Sequence, residues 1–263
     1  MLRSLRPLPT LLLLLPLLLP APGEAQTILN VERFQLSARE GVHVELDLSG
    51  SGQAGNRRIL DARIQGIVGV VTEHHWPRLI LGGRYLREGG EEPVLDNQFV
   101  QLRYSYLFSP KTRTFHFVQI QRNETLRLRE RLLVGSGLQR DFQPTEATSL
   151  SLGGGVMGEW EALDPDAVGP GDEVNARVVR MTVVGVLRHT LEAGPELVNI
   201  AYLQPDITEP GDIRILNDVA LRVPLGSAVT MVLASEWRYD SRPPSVLGAH
   251  DLSYRMGVTI AVR

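Results

Sequence analysis

Histidine and serine are the side chains in this sequence with which a hydrolytic site could be built. The chain has 263 residues with six histidines and no cysteine, so thiolate nucleophiles and thiolate metal sites are excluded. His116 and Ser136 fall on neighbouring predicted strands and could form a catalytic dyad. No Asn or Asp on the same face stands where it could orient the imidazole. An ordinary interfacial histidine is therefore the favoured interpretation, and we predict no catalytic residue.

Three further patterns could bind a metal ion or a phosphate. His74 and His75 are adjacent at a strand end, where neighbouring side chains point to opposite faces, so a shared metal site is not favoured. The acidic stretch LDPDAVGPGDE (163–173) lacks the spacing of a calcium loop and is better explained as a solvated loop. GGGVMG (153–158) lies inside a predicted strand with no helix after it, so it is not a phosphate loop. We predict neither a metal site nor a cofactor.

The elements that must carry these residues are strands. In QFVQLRYSYLF (98–108), Val100, Leu102 and Tyr104 share one face, and Gln101 and Arg103 share the other. Either a half-buried strand of a soluble protein or a membrane strand fits this alternation. Twelve such segments recur: Gly41–Ser49, Arg58–Val71, Trp76–Arg87, Phe99–Phe108, Arg113–Gln121, Arg129–Phe142, Thr148–Trp160, Arg177–Thr190, Glu196–Gln204, Ile213–Val223, Ala228–Asp240 and Asp251–Arg263.

The connections between these segments separate the two interpretations. Those after the even-numbered segments are short (TEHH, SPKT, QPTEA, LEAGP, PLGS). Those after the odd-numbered segments are mostly longer and rich in Gly, Pro and acid, such as EGGEEPVLDN and SRPPSVLGAH. Short turns at one end and long loops at the other are typical of an outer-membrane barrel, with the short turns in the periplasm. The sequence therefore predicts an all-β, antiparallel transmembrane β-barrel of about twelve strands.

Aromatic residues are predicted to form a girdle at each membrane interface, where amphipathic rings are favoured. Phe115 and Phe142 also lie beside the short turns. Ordinary core aromatics are the alternative interpretation. The predicted girdle residues are Trp76, Tyr106 and Phe108 beside the short turns, and Tyr85, Trp160, Trp237, Tyr239 and Tyr254 beside the long loops.

The face opposite the apolar one is predicted to line the barrel interior and to carry a network of charges. Glu159 should lie between Arg131 and Arg180 on neighbouring strands, and Glu236 should meet Arg255. The predicted network comprises Glu45, Asp47, Arg63, Arg84, Arg103, Arg131, Glu159, Arg180, Glu236, Arg238 and Arg255. Because opposite charges neutralise one another, we expect a narrow, charge-filled lumen rather than an ion-selective pore.

The N-terminal residues have the features of a secretory signal peptide. Arg3 and Arg6 precede a leucine-rich run, and Gly23-Glu24-Ala25 supplies small residues for cleavage. We predict a signal peptide at 1–25, a lead-in segment at 26–40 that either plugs the periplasmic mouth or simply leads into the barrel, and the barrel at 41–263. No later stretch approaches the roughly 20 apolar residues of a membrane helix. The formal charge of −3 gives no reason to expect nucleic-acid binding.

The stretches LDNQFVQLRYSYLFSPKTRTFHFVQIQRNETLRLRERLLVGSGL and EWRYDSRPPS resemble the bacterial salt-induced outer membrane proteins, a domain-of-unknown-function family numbered 481. The resemblance extends from ILNVERFQ over nearly the whole chain after the signal peptide. It implies a Gram-negative outer-membrane barrel with no assigned reaction. It also implies contact with outer-membrane lipid, lipopolysaccharide and the barrel assembly machinery. One departure is the end of the chain at Arg263, where such barrels usually end in an aromatic residue.

Three hypotheses of function follow from the sequence. The first is a non-enzymatic barrel with a structural or envelope-stress role, and the second is a diffusion pore for small solutes. The third is an outer-membrane enzyme that hydrolyses lipid or protein. The lack of a convincing triad argues against the third, and the charge of the lumen separates the first two.

Overall fold

The computed structural model describes residues 40–53, 59–89, 94–192 and 194–262, together with Asn30 and Glu32. The predicted signal peptide and the lead-in segment, apart from Asn30, Glu32 and Glu40, lie outside these ranges. The described residues form twelve strands, which confirms the predicted number and the all-β class. They are β1 (Gly41–Gln53), β2 (Ile59–Val71), β3 (His75–Glu88), β4 (Val94–Ser109), β5 (Thr112–Asn123), β6 (Leu128–Thr145), β7 (Thr148–Leu163), β8 (Asn175–Thr190), β9 (Glu196–Pro205), β10 (Ile213–Pro224), β11 (Val229–Asp240) and β12 (His250–Val262).

The strands form a single closed antiparallel sheet in which each strand pairs with its neighbours in the sequence. The sheet closes where β1 pairs with β12, from Val44 opposite Val262 to Gly50 opposite Met256. Across this junction the Thr259 hydroxyl donates a 2.9 Å hydrogen bond to Asp47. Closure leaves no free sheet edge, so every strand has a hydrogen-bonding partner on both sides.

The barrel has the opposite polarity to a soluble protein, with an apolar outer wall. Leu102 is 61% exposed, whereas its neighbour Arg103 is 6% exposed and faces the interior. Val100 and Tyr104 are exposed beside Leu102, while Gln101 and Ser105 are buried beside Arg103, so the predicted facing of this stretch is confirmed. Exposed Val, Leu, Ile and Met side chains occur on strands all around the barrel. Contact with lipid removes this apolar surface from water, at about 25 cal/mol per Å².

Glycines in the wall make room for aromatic rings inside the barrel. A Cβ atom on Gly137 would lie 2.3 Å from the ring of Phe115, and one on Gly82 would lie 2.7 Å from the ring of Phe99. Real Cβ atoms do not approach a ring this closely, so each ring lies against bare backbone. The glycine-rich strands are therefore packed from the inside, which the sequence pattern alone does not reveal.

The connections at one end of the barrel are short turns, at 72–74, 110–111, 146–147, 191–195 and 225–228. The other end has longer loops at 164–174, 206–212 and 241–249, although β5 and β6 are joined by the four-residue turn Glu124–Arg127. Two of the long loops contact each other, because the backbone N–H of Ser245 donates to Asp172 at 3.1 Å. No helix in the described part of the chain is long and apolar enough to span a membrane.

One part of the interior is apolar, contrary to the expectation of a uniformly polar lumen. The inward side chains of β8 to β11 include a buried cluster that lies beside the charged residues of the same strands. Its members are Val184, Val186, Val198, Ile200, Tyr202, Leu216, Ala220, Val232 and Ala234. Strands that are apolar on both faces alternate poorly in sequence, which explains why the facing of Glu196–Gln204 is not evident from its residues alone.

Candidate functional site

The half of the barrel interior nearer the long loops contains an ion-pair cluster around Glu159 on β7. Its carboxylate lies 3.2 Å from Arg131 of β6, 3.1 Å from Arg180 of β8 and 2.5 Å from Arg214 of β10. Glu159 is 2% exposed, and Arg131 and Arg180 are 1% exposed. The structure thus places the predicted acid between the two predicted bases, and a third arginine reaches it from β10, which β8 and β9 separate from β7.

Three more carboxylates complete this cluster. Glu161 lies 2.5 Å from Arg131, Asp212 lies 2.8 Å from Arg180, and Asp240 lies 3.1 Å from Arg214. Burying a charge costs several kcal/mol unless it is paired and hydrogen-bonded. Here each arginine contacts at least two carboxylates or backbone carbonyls, so the buried charges of the cluster are compensated by one another.

The other predicted interior charges form smaller groups around the wall. Arg84 contacts Asp61 at 2.9 Å and Asp96 at 3.4 Å, and Arg63 contacts Asp61 at 3.5 Å. Arg255 of β12 lies 2.9 Å from Asp218 of β10. The predicted partner of Arg255, Glu236, forms an ion pair with Arg238, which in turn lies 3.4 Å from Asp251. Glu45 and Asp47 project from β1 on its inward face.

A residue from the N-terminal segment enters the half of the lumen nearer the short turns. Glu32 is buried, and its carboxylate accepts a 2.6 Å hydrogen bond from Arg103 and one of 3.3 Å from Gln139. The backbone carbonyl of Glu32 accepts a 2.9 Å hydrogen bond from Arg188. Strands β4, β6 and β8 therefore hold this one residue in place.

Two small voids lie in the described part of the interior. Beside Glu159 and Arg103 there is a void of about 50 Å³, and a second of about 50 Å³ lies beside Arg63 and Glu236. A water molecule needs about 10–15 Å³ of such volume, so each void has room for a few waters. A larger recess of about 420 Å³ opens at the short-turn end, next to Glu32, Trp76 and Arg188.

Two of the aromatic residues assigned to the girdle beside the short turns face the interior. Trp76 is 4% exposed, because it shares the inward face of β3 with Arg78, whose guanidinium lies 3.3 Å from the centre of its ring. The placement of Trp76 in the girdle was therefore wrong, and the same holds for Phe115, which is buried on β5. Phe108 and Phe142 are exposed at the short-turn end, and Tyr106 stacks edge-on against Phe108 at 5.0 Å.

The girdle residues at the long-loop end lie on the outer face. Trp160 and Tyr254 are exposed. Trp237 stacks on Tyr239 at 6.3 Å between ring centres, and Tyr85 follows the inward Arg84 on β3. Outward rings therefore lie at both ends of the apolar wall, on β4 and β6 at the short-turn end and on β3, β7, β11 and β12 at the long-loop end.

The histidines weighed as site residues lie on the outer wall. His74 and His75 both contact the ring of Tyr106, at 6.0 and 5.6 Å between ring centres, so the expectation of opposite facing was wrong. His74 belongs to the turn, where strand alternation does not apply. His116 and Ser136 do meet, with Nδ1 of His116 2.8 Å from Oγ of Ser136. No group of three or more His, Asp or Glu within the described ranges is arranged to hold a metal ion.

Sequence reasoning missed several members of the interior network. Glu161 lies two residues after Glu159 on the same face, so the alternation could have revealed it. Arg214 lies 55 positions after Glu159 on β10, which β8 and β9 separate from β7, so neither alternation nor strand order indicates this contact. Glu32 lies in a segment without periodicity, so nothing in the sequence pattern pointed to it.

The closed barrel, its apolar wall and its rings at both ends define an all-β barrel of the outer-membrane type. The NanC porin has the same fold, with a TM-score of 0.51 over 84% of this chain and 99% of its own, at 11% identity. An outer membrane channel from Pseudomonas putida F1 aligns with a TM-score of 0.53 over 90% of this chain and 100% of its own, at 8% identity. At these identities the likeness concerns the fold alone.

The chain belongs to the DUF481 family, described as proteins of unknown function, whose family model matches residues 47–262. This match confirms the family resemblance found in the sequence. A comparison with curated proteins finds no match.

Proposed function

We propose that this protein resides in the outer membrane of a Gram-negative bacterium and has a non-enzymatic, structural or envelope-stress role, with a lumen closed to solutes. The observation that carries the proposal is the Glu159 cluster, which joins β6, β7, β8 and β10 inside the barrel. Arginines from three strands meet the same carboxylate, so this part of the wall is braced from within. The chain would enter the membrane through the barrel assembly machinery and contact phospholipid and lipopolysaccharide with its apolar wall.

The number of strands allows either an open or a closed lumen. Eight-stranded barrels are filled by their own side chains, whereas porins with 16 to 18 strands leave an aqueous channel. A twelve-stranded barrel lies between these cases, so the size of its interior side chains decides whether it conducts. The long side chains of arginine and glutamate that project into the interior beside two voids of about 50 Å³ support a closed lumen.

A small-solute pore is the second candidate function, and the contacts of Glu32 are the observation that favours it. A residue from outside the barrel lies in the lumen and is held by Arg103, Gln139 and Arg188. If these contacts were released, the recess at the short-turn end would extend further into the barrel. Conduction would then also need a rearrangement of the Glu159 cluster.

Planar-bilayer recording of the refolded protein tests the proposal. We expect little or no steady conductance, and we expect the unboiled protein to run faster on a gel than the boiled protein, because a closed barrel resists detergent. A large, stable conductance in a protein that shows this heat shift would overturn the closed lumen and favour the pore. A protein without a heat shift that fractionates with soluble periplasmic proteins would overturn the membrane barrel itself.

A further inference from the structure

A row of polar side chains crosses the outer wall of the barrel on β3 to β6, where apolar residues are expected. Nδ1 of His75 lies 2.8 Å from the hydroxyl of Tyr104, and the ring of Tyr104 stacks on His116 with 6.0 Å between centres. His116 is hydrogen-bonded to Ser136. Tyr104 lies directly opposite His116, and His116 directly opposite Ser136, so the row follows neighbouring strands without a gap.

An apolar groove of about 890 Å³ runs along this row in the same wall. Its volume is within the range of ligand-binding sites. Its apolar lining lies two residues further along β4, β5 and β6, toward the long-loop end. There Leu79, Leu102, Val118 and Val134 are successive cross-strand neighbours. The groove therefore has a polar side near the short turns and an apolar side toward the middle of the wall.

Polar side chains that face lipid hydrocarbon are costly and require partners for their hydrogen-bonding groups. The His75–Tyr104 and His116–Ser136 hydrogen bonds meet only part of this requirement. His116 is exposed, and within the described residues only its Nδ1 is hydrogen-bonded. His75 and Tyr104 are exposed as well. A ligand that fits must supply hydrogen-bond acceptors along the row and a long apolar chain along the groove.

We infer that this row and groove bind a single glycerophospholipid. Its phosphate and ester oxygens would accept hydrogen bonds from His75 and from Nε2 of His116, whose Nδ1 accepts from the hydroxyl of Ser136, and an acyl chain would lie along Leu102, Val118 and Val134. The inference rests on the proposed function, because in an outer-membrane barrel the short turns are expected on the periplasmic side, where the leaflet consists of phospholipid. His75 begins β3 immediately after one of these turns, so the row starts at that interface and leads into the membrane.

The wall also provides a matched control. Thr148 and His189 form a second hydroxyl–histidine pair, with a distance of 2.9 Å, on the outer faces of β7 and β8. This pair lies away from the groove. A change of His189 therefore removes the same chemistry from the wall without touching the proposed lipid site.

Native mass spectrometry of the detergent-purified protein tests the site, with dioleoylphosphatidylethanolamine as the probe. Dioleoylglycerol, which has the same chains but no phosphate, is the comparison ligand. We expect the wild type to bind the phospholipid about tenfold more tightly than dioleoylglycerol. His116→Gln and Ser136→Ala should each weaken phospholipid binding by about tenfold, whereas His189→Gln should leave it unchanged.

The heat shift of each sample shows whether the barrel has folded, so the two proposals can fail separately. Folded wild type that binds both lipids equally, or His116→Gln and Ser136→Ala variants that bind like the wild type, would overturn the lipid site but not the membrane barrel. A dimer that His116→Gln dissociates, without phospholipid selectivity, would identify the row as a contact between barrels and overturn the inference. Wild type without a heat shift would overturn both.

Discussion

Arg103 on β4 donates a 2.6 Å hydrogen bond to Glu32, which lies 71 positions earlier in the chain and outside the strands. Both side chains are buried, so this ion pair lies within the lumen and not at its mouth. Arg113 on β5 forms an ion pair with Asp141, and Arg78 donates to Ser105, so the neighbouring arginines have other partners. Among the described residues, Glu32 thus supplies a charged connection between the N-terminal segment and the wall.

Glu32→Gln should loosen this connection, because the neutral amide no longer attracts Arg103. We expect brief conductance events to become about tenfold more frequent in planar bilayers, with a preference for anions because the arginine charge remains. Glu40→Gln is the matched control, since Glu40 precedes β1 and is exposed. Equal frequencies of conductance events in the two variants would show that Glu32 does not restrict the lumen.

Glu159→Gln should destabilise the barrel, since it leaves Arg131, Arg180 and Arg214 around a neutral group. Breaking a buried ion pair by removing one partner costs about 3–5 kcal/mol. Urea unfolding in lipid vesicles, followed by tryptophan fluorescence, should show a loss of this size together with increased anion leakage. Glu173→Gln, in the exposed part of loop 164–174, should change the free energy of unfolding by less than about 0.5 kcal/mol. A similar stability of the two variants would contradict a bracing role for the cluster.

Arginine substitutions on the outer wall should reveal the depth of each position in the membrane. Val183 is exposed midway between Arg177 and His189 on β8, so Val183→Arg should cost about 2–4 kcal/mol. Leu152 is also exposed but lies opposite the exposed Arg140, near the interface, so Leu152→Arg should cost about 0–1 kcal/mol. Ser151→Arg, on the inward face beside the open recess, should also be mild. Equal losses for Val183→Arg and Leu152→Arg would contradict a lipid-facing wall.

The contact between Asp172 and Ser245 should be sensitive to acid. The hydrogen bond from the backbone N–H of Ser245 lowers the pKa of Asp172. A lowered pKa in the folded state means that the contact is fully formed at neutral pH and is lost as pH falls below about 4. Amide hydrogen exchange of Ser245, corrected for its intrinsic pH dependence, should therefore accelerate only in that acid range.

Asp172→Asn should produce faster exchange of the Ser245 amide already at pH 7, because the amide oxygen is a weaker acceptor than the carboxylate. Asp166→Asn in the same loop is the control and should leave the exchange unchanged, since Asp166 is exposed. Unchanged exchange in Asp172→Asn would show that this carboxylate does not hold the two loops together.

The strand number, the closure of the barrel and the facing of stretches such as 98–108 could be predicted from the sequence. Strand geometry imposes a period of two, and lipid on one side with a polar interior on the other makes that period visible. The position of Trp76 beside a turn did not indicate which face of the sheet its side chain is on. Its facing follows from the alternation of β3, in which Trp76 and Arg78 share the inward face.

Contacts between strands that are not neighbours could not be predicted, because the order of strands indicates only which strands are adjacent. Arg131 and Arg180 are on the strands next to Glu159, and they were predicted to meet it. Arg214 is on β10, which β8 and β9 separate from β7, so its contact with Glu159 depends on the curvature of the wall and the length of its side chain. The same limit applies to Glu32, whose segment has no alternation to indicate its position.

The junction between β1 and β12 has a consequence for the rate of folding. Asp47 and Thr259, which are hydrogen-bonded there, are 212 positions apart, so this contact forms only after nearly the whole chain has been made. Hairpins of neighbouring strands can form earlier, whereas bringing distant ends together carries a large loop-closure entropy. Until the ends join, the arginines and carboxylates of the interior remain hydrated on an open, curved sheet. The loss of that hydration belongs to the final step, and we expect closure to be the slow phase of refolding.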